Sequence, residues 1–389
     1  MGTIDHRPDR PKPWRARYWG SDNRQHSKSF GREKDAKAWL RTEEGAKDTG
    51  TWLDPARGRI RFEDWADRWW AVWSQGKSPS TLQAAESRLR VHLRPIFGPR
   101  RLNTISALLV ERWQKQIASD HDHETVLACR SLLNRILKAA VKDRRIPFNP
   151  VRDVDPPPKP VNPERRLGNA KRRTFTPEEF GRFLANCPAF HRKHFMTQVG
   201  TGLRPGELLG LPPHRVRLDE GLIEVVEVRY DAGKFGAGYK KEPKSPTSIR
   251  AVPLPEQVRA AIEEGLDGCP RNGRVFAGPG GNRHARRGER TALSVNNYRR
   301  VYKRVVARTR GLDHLDLHGP HDLRHTYATW LEEAGIPSRV IDELMGHSGS
   351  EREGSPMARV YRHTTPEMRT RAAKVIEDRL AIALRVAQM

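Results

Sequence analysis

The stretch HGPHDLRHTYATWLEEAG, residues 318–335, predicts an amphipathic helix with several proton carriers near its start. Pro320 suits the first turn of a helix, and Gly335 suits its end. Leu323, Tyr327 and Leu331 repeat at helical spacing and predict the buried face. The helix is therefore defined by both of its ends and by one apolar stripe.

The polar residues near the start of this helix are candidates for chemistry. His321 and Arg324 lie one turn apart, so both side chains can point at one target. His325 follows His321 by four residues, a spacing at which two histidines can chelate zinc. The zinc protease pattern requires glutamate directly after the first histidine, but this chain has Asp322 there, and no third ligand is suggested. His318 precedes the helix and receives no role.

A second stretch, TGLRPGELLGL, places an arginine at the mouth of a short helix. Gly202 and Gly206 allow the backbone to approach a ligand closely. Arg204 lies between them and can grip a phosphate with two hydrogen bonds. For this stretch alone, a surface arginine in an ordinary turn is an equally good interpretation.

Two further candidates follow the long helix. The stretch IPSRVIDELMGH predicts a short helix that ends at Gly346 and delivers His347 to a loop. Tyr361 follows among basic residues, ahead of a new helix that begins at Thr365 and Pro366. A lone histidine or tyrosine is usually structural, but the order of these candidates along the chain is specific.

The charge of the whole chain points to a polyanionic partner. Lysine and arginine number 72 against 47 carboxylates, a formal net charge of +25 over 389 residues. The excess is spread along the chain, which favours several domains that touch DNA or RNA, although a genome-wide arginine bias is an alternative. The three cysteines form no CxxC pair, which excludes a disulfide framework and a thiolate zinc site. We expect a soluble, cytoplasmic protein, because the sequence shows no signal peptide and no membrane span.

The first 152 residues predict two DNA-binding domains of different kinds. Residues 1–57 predict a hairpin, formed by WRARYWG and RQHSKSF, and a helix that buries Ala36, Trp39 and Leu40. Residues 58–152 predict four helices, and a stripe of large and small apolar side chains in the first favours a core over a base-stacking surface. That stripe is Phe62, Trp65, Ala66, Trp69 and Trp73.

The remainder predicts a linker and a larger domain. Residues 153–172 are rich in proline, without a hydrophobic period, and predict an extended connector. Residues 173–389 predict the third domain, which starts with a capping box at Thr176, Pro177 and Glu179. Strand signals occur in GLIEVVEVRY and SIRAVPLP, and helices follow. The expected fold class is α+β and mostly helical.

Together, the candidates resemble the catalytic residues of the tyrosine recombinases, the phage integrase family. TGLRPGELLGL and HDLRHTYAT resemble the two signature boxes of that family, and the likeness runs from about residue 172 to about residue 381. The matching positions are Arg204, His321, Arg324, Gly346, His347 and Tyr361, with Arg362 and His363 after the tyrosine.

The resemblance implies further assignments. The family has a lysine in a hairpin between two strands, and PKSPTSIRAVPL matches that context at Lys244, with Lys240 and Lys241 as alternatives. Glu207 occupies the acidic position of the family, which supports the arginine site from behind. The four-helix segment is similar to the SAM-like core-type DNA-binding domain, and the N-terminal module to the arm-binding module of phage and integrative-element integrases.

One departure from the family lies in the loop SGSEREGSPMAR, which separates His347 from Tyr361. This loop is longer and more charged than in compact family members. The sequence therefore does not predict the path of the segment that carries Tyr361, but Tyr361 remains the assigned tyrosine.

The residues suit cleavage of a DNA phosphodiester without metal or other cofactor. Tyr361 as the nucleophile forms a phosphotyrosyl link, which conserves the bond energy for rejoining. The transition state has a five-coordinate phosphorus with extra negative charge on its nonbridging oxygens. Arg204 and Arg324 are suited to neutralise this charge, and His347 adds a hydrogen bond.

Proton transfer requires a base for the tyrosine and an acid for the departing 5′ oxygen, and His321 and Lys244 are the natural candidates. The resemblance further implies a 3′ linkage, a homotetramer on double-stranded DNA attachment sites, and integration or excision of a phage or mobile element. An accessory directionality or bending protein and a bacterial or phage origin, near the nucleoid, are also expected. The alternatives are a type IB topoisomerase-like enzyme and a catalytically silent DNA-binding protein of the same fold.

Overall fold

The chain divides into two compact units, Met1–Val161 and Asn162–Met389. The finer division into three domains and a linker stays a prediction. Lys241, Lys244 and Tyr361 lie outside the described residues, as do residues 160–171 of the predicted linker. The computed structural model describes residues 2–159, 172–240, 249–279, 290–347 and 364–388.

A three-stranded antiparallel sheet and one helix form the N-terminal part of the first unit. The predicted hairpin and helix are confirmed, and Ala36 and Leu40 are buried as expected. Trp39 is only partly buried. The first strand was not predicted, because TIDH is too short and polar to show alternation. The elements are β1 (Thr3–His6), β2 (Trp14–Trp19), β3 (Gln25–Phe30) and α1 (Glu33–Asp48).

Helices make up the rest of the first unit and pack around the predicted aromatic stripe. Phe62, Trp65, Ala66 and Trp69 are buried, and Trp73 packs against them at the edge of this core. The stripe is therefore core, as predicted. The helices are α2 (Phe62–Trp73), α3 (Pro79–Arg88), α4 (Arg94–Phe97), α5 (Ala107–Asp120) and α6 (His123–Lys142).

The second of the four predicted helices extends further than the sequence indicated. We expected it to end at Leu93, but a π-helical turn, Leu89–Leu93, joins α3 to α4. Pro95 follows this turn directly and, having no N–H, cannot donate to a carbonyl of the preceding turn. Phe97 at the end of α4 is fully buried, and its burial favours the continuation.

Eight helices among the described residues build most of the second unit. The predicted capping box is present: Thr176 Oγ1 accepts from the Glu179 N–H at 3.2 Å, and Glu179 Oε2 accepts from the Thr176 N–H at 2.7 Å. The helices are α7 (Pro177–Ala185), α8 (Ala189–Thr201), α9 (Pro205–Gly210), α10 (Glu256–Leu266), α11 (Val295–Arg308), α12 (His321–Glu333), α13 (Ser338–Met345) and α14 (Pro366–Gln388).

Small antiparallel sheets flank these helices. The strand signal in GLIEVVEVRY corresponds to two strands in different sheets, because Leu222–Val225 pairs with Arg250–Pro253 and Val228–Asp231 pairs with Ala237–Lys240. The mixture of many helices and small sheets is the α+β architecture that we expected. The strands are β4 (Val216–Arg217), β5 (Leu222–Val225), β6 (Val228–Asp231), β7 (Ala237–Lys240), β8 (Arg250–Pro253), β9 (Ala277–Pro279) and β10 (Arg290–Ala292).

Within the described ranges, none of the helices has the length and apolar character needed to cross a lipid bilayer.

Candidate active site

Arg204 stands between α8 and α9 with a partly exposed side chain. α8 ends at Gly202, whose φ of 64° is left-handed, and a Cβ atom there would lie 2.5 Å from the ring of Tyr327. The backbone N–H of Arg204 donates to Glu207 Oε2 at 2.8 Å, and its Nη1 donates to Oε1 at 2.8 Å. Because 33% of the side chain stays exposed, the guanidinium can still meet a ligand.

Glu207 is a buried carboxylate between two arginines. Its side chain is 3% exposed, and it accepts from Arg204 and from both terminal nitrogens of Arg250. Burial alone would raise the pKa of Glu207, but the hydrogen bonds and charges of Arg250 and Arg204 lower it to about 2. The position expected from the resemblance is therefore filled by an ionised carboxylate directly behind Arg204.

Arg250 belongs to this cluster and was missed in the sequence. It is the first residue of β8, opposite Val225 of β5, and it shares a strand face with the buried Val252. Period-two alternation in SIRAVPL was the available signal, because a charged residue on a buried strand face requires a partner. The partner, Glu207, lies 43 positions away in sequence, and no local pattern identifies it.

Arg324 projects from α12 into the same region and is buried. Its Nη1 donates to the carbonyl of Gly202 at 2.7 Å, and its Nη2 donates to the carbonyl of Met345 at the end of α13. Arg204 Nη2 lies 3.4 Å from the next carbonyl, that of Gly346. Burial, and then the positive charges of Arg204 and its neighbours, lower the pKa of Arg324. The two arginines, called here the arginine clamp, thus converge on one helix end, and their binding of a phosphate stays a prediction.

His347 lies beside this clamp because Gly346 ends α13 with a left-handed φ of 63°. Its Nε2 is 3.2 Å from Arg324 Nη2, and its Nδ1 is 3.1 Å from Asp342 Oδ1. A guanidinium only donates, so Nε2 accepts, and the ring proton lies on Nδ1 and is donated to Asp342.

His321 and His325 lie on the exposed side of α12 near its start. Partial burial, and then the charge of Arg324, lower the pKa of His321. A neutral imidazole at neutral pH results, which is the form that a general base requires. Burial and the charge of Arg173 likewise lower the pKa of His325.

Among the described residues, no third metal ligand is found close to His321 and His325, the pair considered above as a zinc site. The one group of three possible metal ligands in the part of the chain that the structure describes is Asp22, His26 and Asp54, in the first unit. In that group the His26 ring already hydrogen bonds to the Asp22 carboxylate at 3.0 Å.

Asp322 fixes the start of α12 and was also not assigned a role from the sequence. Its buried carboxylate accepts the backbone N–H groups of His318 and Gly319, at 2.6 and 2.8 Å. Arg173 Nη2 and the hydroxyl of Tyr302 also donate to it, at 3.0 and 3.3 Å. Asp322, which stands where the zinc protease pattern requires glutamate, therefore stabilises the turn before His321.

Of the remaining candidates, the structure describes Lys240 but not Lys241, Lys244 or Tyr361. Lys240 ends β7 opposite Val228, while the alternatives Lys241 and Lys244 fall in the 241–248 segment outside the described residues. Tyr361 lies outside as well. Thr364, three residues after it, donates its backbone N–H to Glu343 Oε2 on α13 at 3.2 Å.

Comparison with known proteins gives matches over most of the chain. Residues 173–368 match the Phage integrase family, and residues 62–156 match the Phage integrase central domain. A tyrosine recombinase XerC-like protein of Caldanaerobacter subterraneus is 24% identical over 327 residues, which cover 78% of each chain. The integrase of Mycobacterium phage L5 is 24% identical over 340 residues, covering 82% of this chain and 83% of that one.

Solved structures show the same fold. The Tn1549 transposon integrase, solved with transposon right-end DNA, has a TM-score of 0.56 at 19% identity and covers 83% of this chain and 100% of its own. A lambda integrase tetramer bound to a Holliday junction has a TM-score of 0.58 at 16% identity, covering 91% and 97%. The chain belongs to the phage integrase family and is a tyrosine-type site-specific DNA recombinase.

Proposed function

We propose that the protein cleaves and rejoins DNA attachment sites through a covalent link between Tyr361 and a 3′ phosphate, and so integrates or excises a phage or other mobile element. The observation that carries this proposal is the convergence of Arg204, Arg324 and His347 at the end of α13. The guanidiniums of Arg204 and Arg324 suit the nonbridging oxygens of a phosphodiester, where negative charge grows in the transition state.

The nucleophile is proposed from its position in the motif order, and one contact supports it. Thr364 hydrogen bonds to Glu343, so the chain that follows Tyr361 packs on the helix that delivers His347. In the cleavage step the Tyr361 oxygen attacks phosphorus and the bond to the 5′ oxygen breaks. The tyrosine proton goes to His321, and Lys244 protonates the departing 5′ oxygen. Rejoining reverses these transfers, with a 5′ hydroxyl as the attacking group.

The net charge of +25 supports DNA as the partner. The lambda integrase relative is a tetramer on a Holliday junction, which supports the same homotetramer for this chain. We assign residues 173–389 to catalysis, residues 58–152 to the core site and residues 1–57 to arm-type DNA, with residues 153–172 as the linker. An accessory bending or directionality protein, and action in the bacterial cytoplasm, belong to the same proposal.

A nicked suicide substrate tests the chemistry. The substrate is a duplex built from the junction of the excised circular element, with a nick a few nucleotides 3′ of the cleaved phosphate. The short strand that cleavage releases, which carries the new 5′ hydroxyl, then diffuses away and cannot rejoin. Wild-type protein is expected to form a DNA adduct that survives denaturant, and Tyr361→Phe is expected to form none. An adduct that persists in Tyr361→Phe refutes the assigned nucleophile, and absence of adduct in wild type favours a silent DNA-binding protein.

A further inference from the structure

Arg250 is an arginine almost completely removed from water, and its hydrogen bonds reach two parts of the candidate active site. Its side chain is 3% exposed. Nη1 and Nη2 donate to the two carboxylate oxygens of Glu207, at 3.2 and 2.8 Å, and Nε donates to the carbonyl of Leu344 at 2.7 Å. A buried guanidinium that loses its partners is strongly destabilised, so these contacts hold Arg250 in one place.

The carboxylate that Arg250 holds is the one that orients Arg204. Glu207 accepts from Arg204 at two points, its backbone N–H and its Nη1, both at 2.8 Å. A carboxylate with two partners on each side has little freedom to rotate. Any displacement of Glu207 is therefore passed to the Arg204 guanidinium.

The contact with Leu344 ties this arrangement to the other half of the clamp. Leu344 lies in the last turn of α13, directly before Met345, whose carbonyl accepts from Arg324. Arg250 thus spans from the end of α13 to Glu207, and through Glu207 to Arg204. Arg204 and Arg324 are thus linked through a third arginine, which is itself buried.

We propose that Arg250 is a positioning residue that aligns Arg204 for the transition state by fixing Glu207 relative to the end of α13. The proposal rests on the proposed function, in which Arg204 binds the reacting phosphate. Lysine cannot substitute, because one ammonium group cannot form the paired bonds to Glu207 and the bond to Leu344 together. Arg250→Lys keeps the charge but releases the alignment.

A double-mutant cycle distinguishes positioning from a purely structural role. Adduct formation is measured in single turnover on the nicked substrate, at saturating DNA and at a temperature where thermal unfolding shows each variant to be folded. Arg250→Lys is expected to lower the rate about 10²-fold, because a misplacement of about 1 Å costs about that much. In an Arg204→Ala background the same substitution is expected to lower the rate less than about threefold, since the group that it aligns is gone.

Arg274→Lys is the matched control. Arg274 forms a largely buried ion pair with Glu227 at 2.8 Å in the same unit and has no described contact with Arg204. Because no described contact joins it to Arg204, its substitution is expected to leave the rate of the folded variant within about threefold of its parent in both backgrounds. The positioning role is overturned if Arg250→Lys has no effect alone, or if its effects in the two backgrounds differ by less than about tenfold. Absence of adduct in the wild type overturns the proposed function instead.

Discussion

The burial of His194 predicts how the stability of the second unit depends on pH. Its ring is fully buried in α8 beside Phe190 and Phe276, and within the described ranges neither ring nitrogen has a hydrogen-bond partner. Burial lowers the pKa of His194 to about 3. The folded protein therefore holds this histidine neutral at any pH where the cell operates.

The size of the effect follows from proton linkage. An unfolded histidine has a pKa of about 6.5, so the unfolded chain binds the proton first as the pH falls. The stability contributed by neutral His194 is complete above about pH 6.5 and is lost progressively down to about pH 3. At pH 5.0 the loss is RT ln(1 + 10^1.5), about 2 kcal/mol, and this value holds as long as the folded-state pKa lies well below 5.

Substitution of His194 by phenylalanine removes this titration and keeps an aromatic ring in the pocket. Trp330 is the one tryptophan after residue 161, and its buried indole N–H donates to the carbonyl of Phe175. In protein labelled with 5-fluorotryptophan, the ¹⁹F signal of Trp330 therefore reports unfolding of the second unit alone. Urea titrations at pH 7.5 and 5.0 give the free energy of unfolding at each pH.

Acidification is expected to destabilise the wild type by about 2 kcal/mol more than it destabilises His194→Phe. Phe195→Leu is the control, because it removes packing from the same helix without removing a titrating group. It is expected to lower stability equally at both pH values. If acidification lowers the free energy of unfolding of wild type and His194→Phe by the same amount, within about 0.5 kcal/mol, the inference that His194 is buried in its neutral form is wrong.

Three further predictions concern the arginine clamp. Arg204→Ala and Arg324→Ala are each expected to slow adduct formation by about 10² to 10³ at saturating DNA, and a loss below tenfold contradicts the assigned roles. Glu207→Gln strands two guanidiniums without their charge partner and is expected to destabilise the second unit by about 3–5 kcal/mol, measured by the same fluorine signal. Gly202→Ala requires a left-handed alanine against the Tyr327 ring, so a loss of about 2 kcal/mol or more is expected, and unchanged urea unfolding argues against the close contact.

The parts of the site that follow from local chemistry were predictable. Gly335 and Gly346 end α12 and α13 with left-handed φ values of 69° and 63°, as their place after apolar helical stripes indicated. Arg204 and Glu207 lie one turn apart, so their pairing was within reach of spacing alone. A short sequence window contains all the atoms that decide such features.

The parts that depend on distant residues were not predictable. Arg250 is stabilised by Glu207 and by a carbonyl 94 positions away, and neither is visible from the strand that carries it. β7 was missed for a different reason: it pairs with β6 in a local hairpin, but its sequence AGYK shows no apolar alternation. The long-range partners decide burial of charge, and a single sequence does not reveal them.

The charge balance of the clamp links its stability to its function. Among the described residues, Arg204, Arg250 and Arg324 surround one ionised carboxylate, Glu207, so this part of the cluster carries an excess of positive charge. Backbone carbonyls at the end of α13 satisfy the hydrogen-bond donors but supply no negative charge. In the proposed function, an anion that enters the site relieves repulsion among the guanidiniums, and the transition state, which bears the most negative charge, relieves it most. A second carboxylate beside these arginines would stabilise the protein without DNA, but it would weaken the binding of an anion by the arginine clamp.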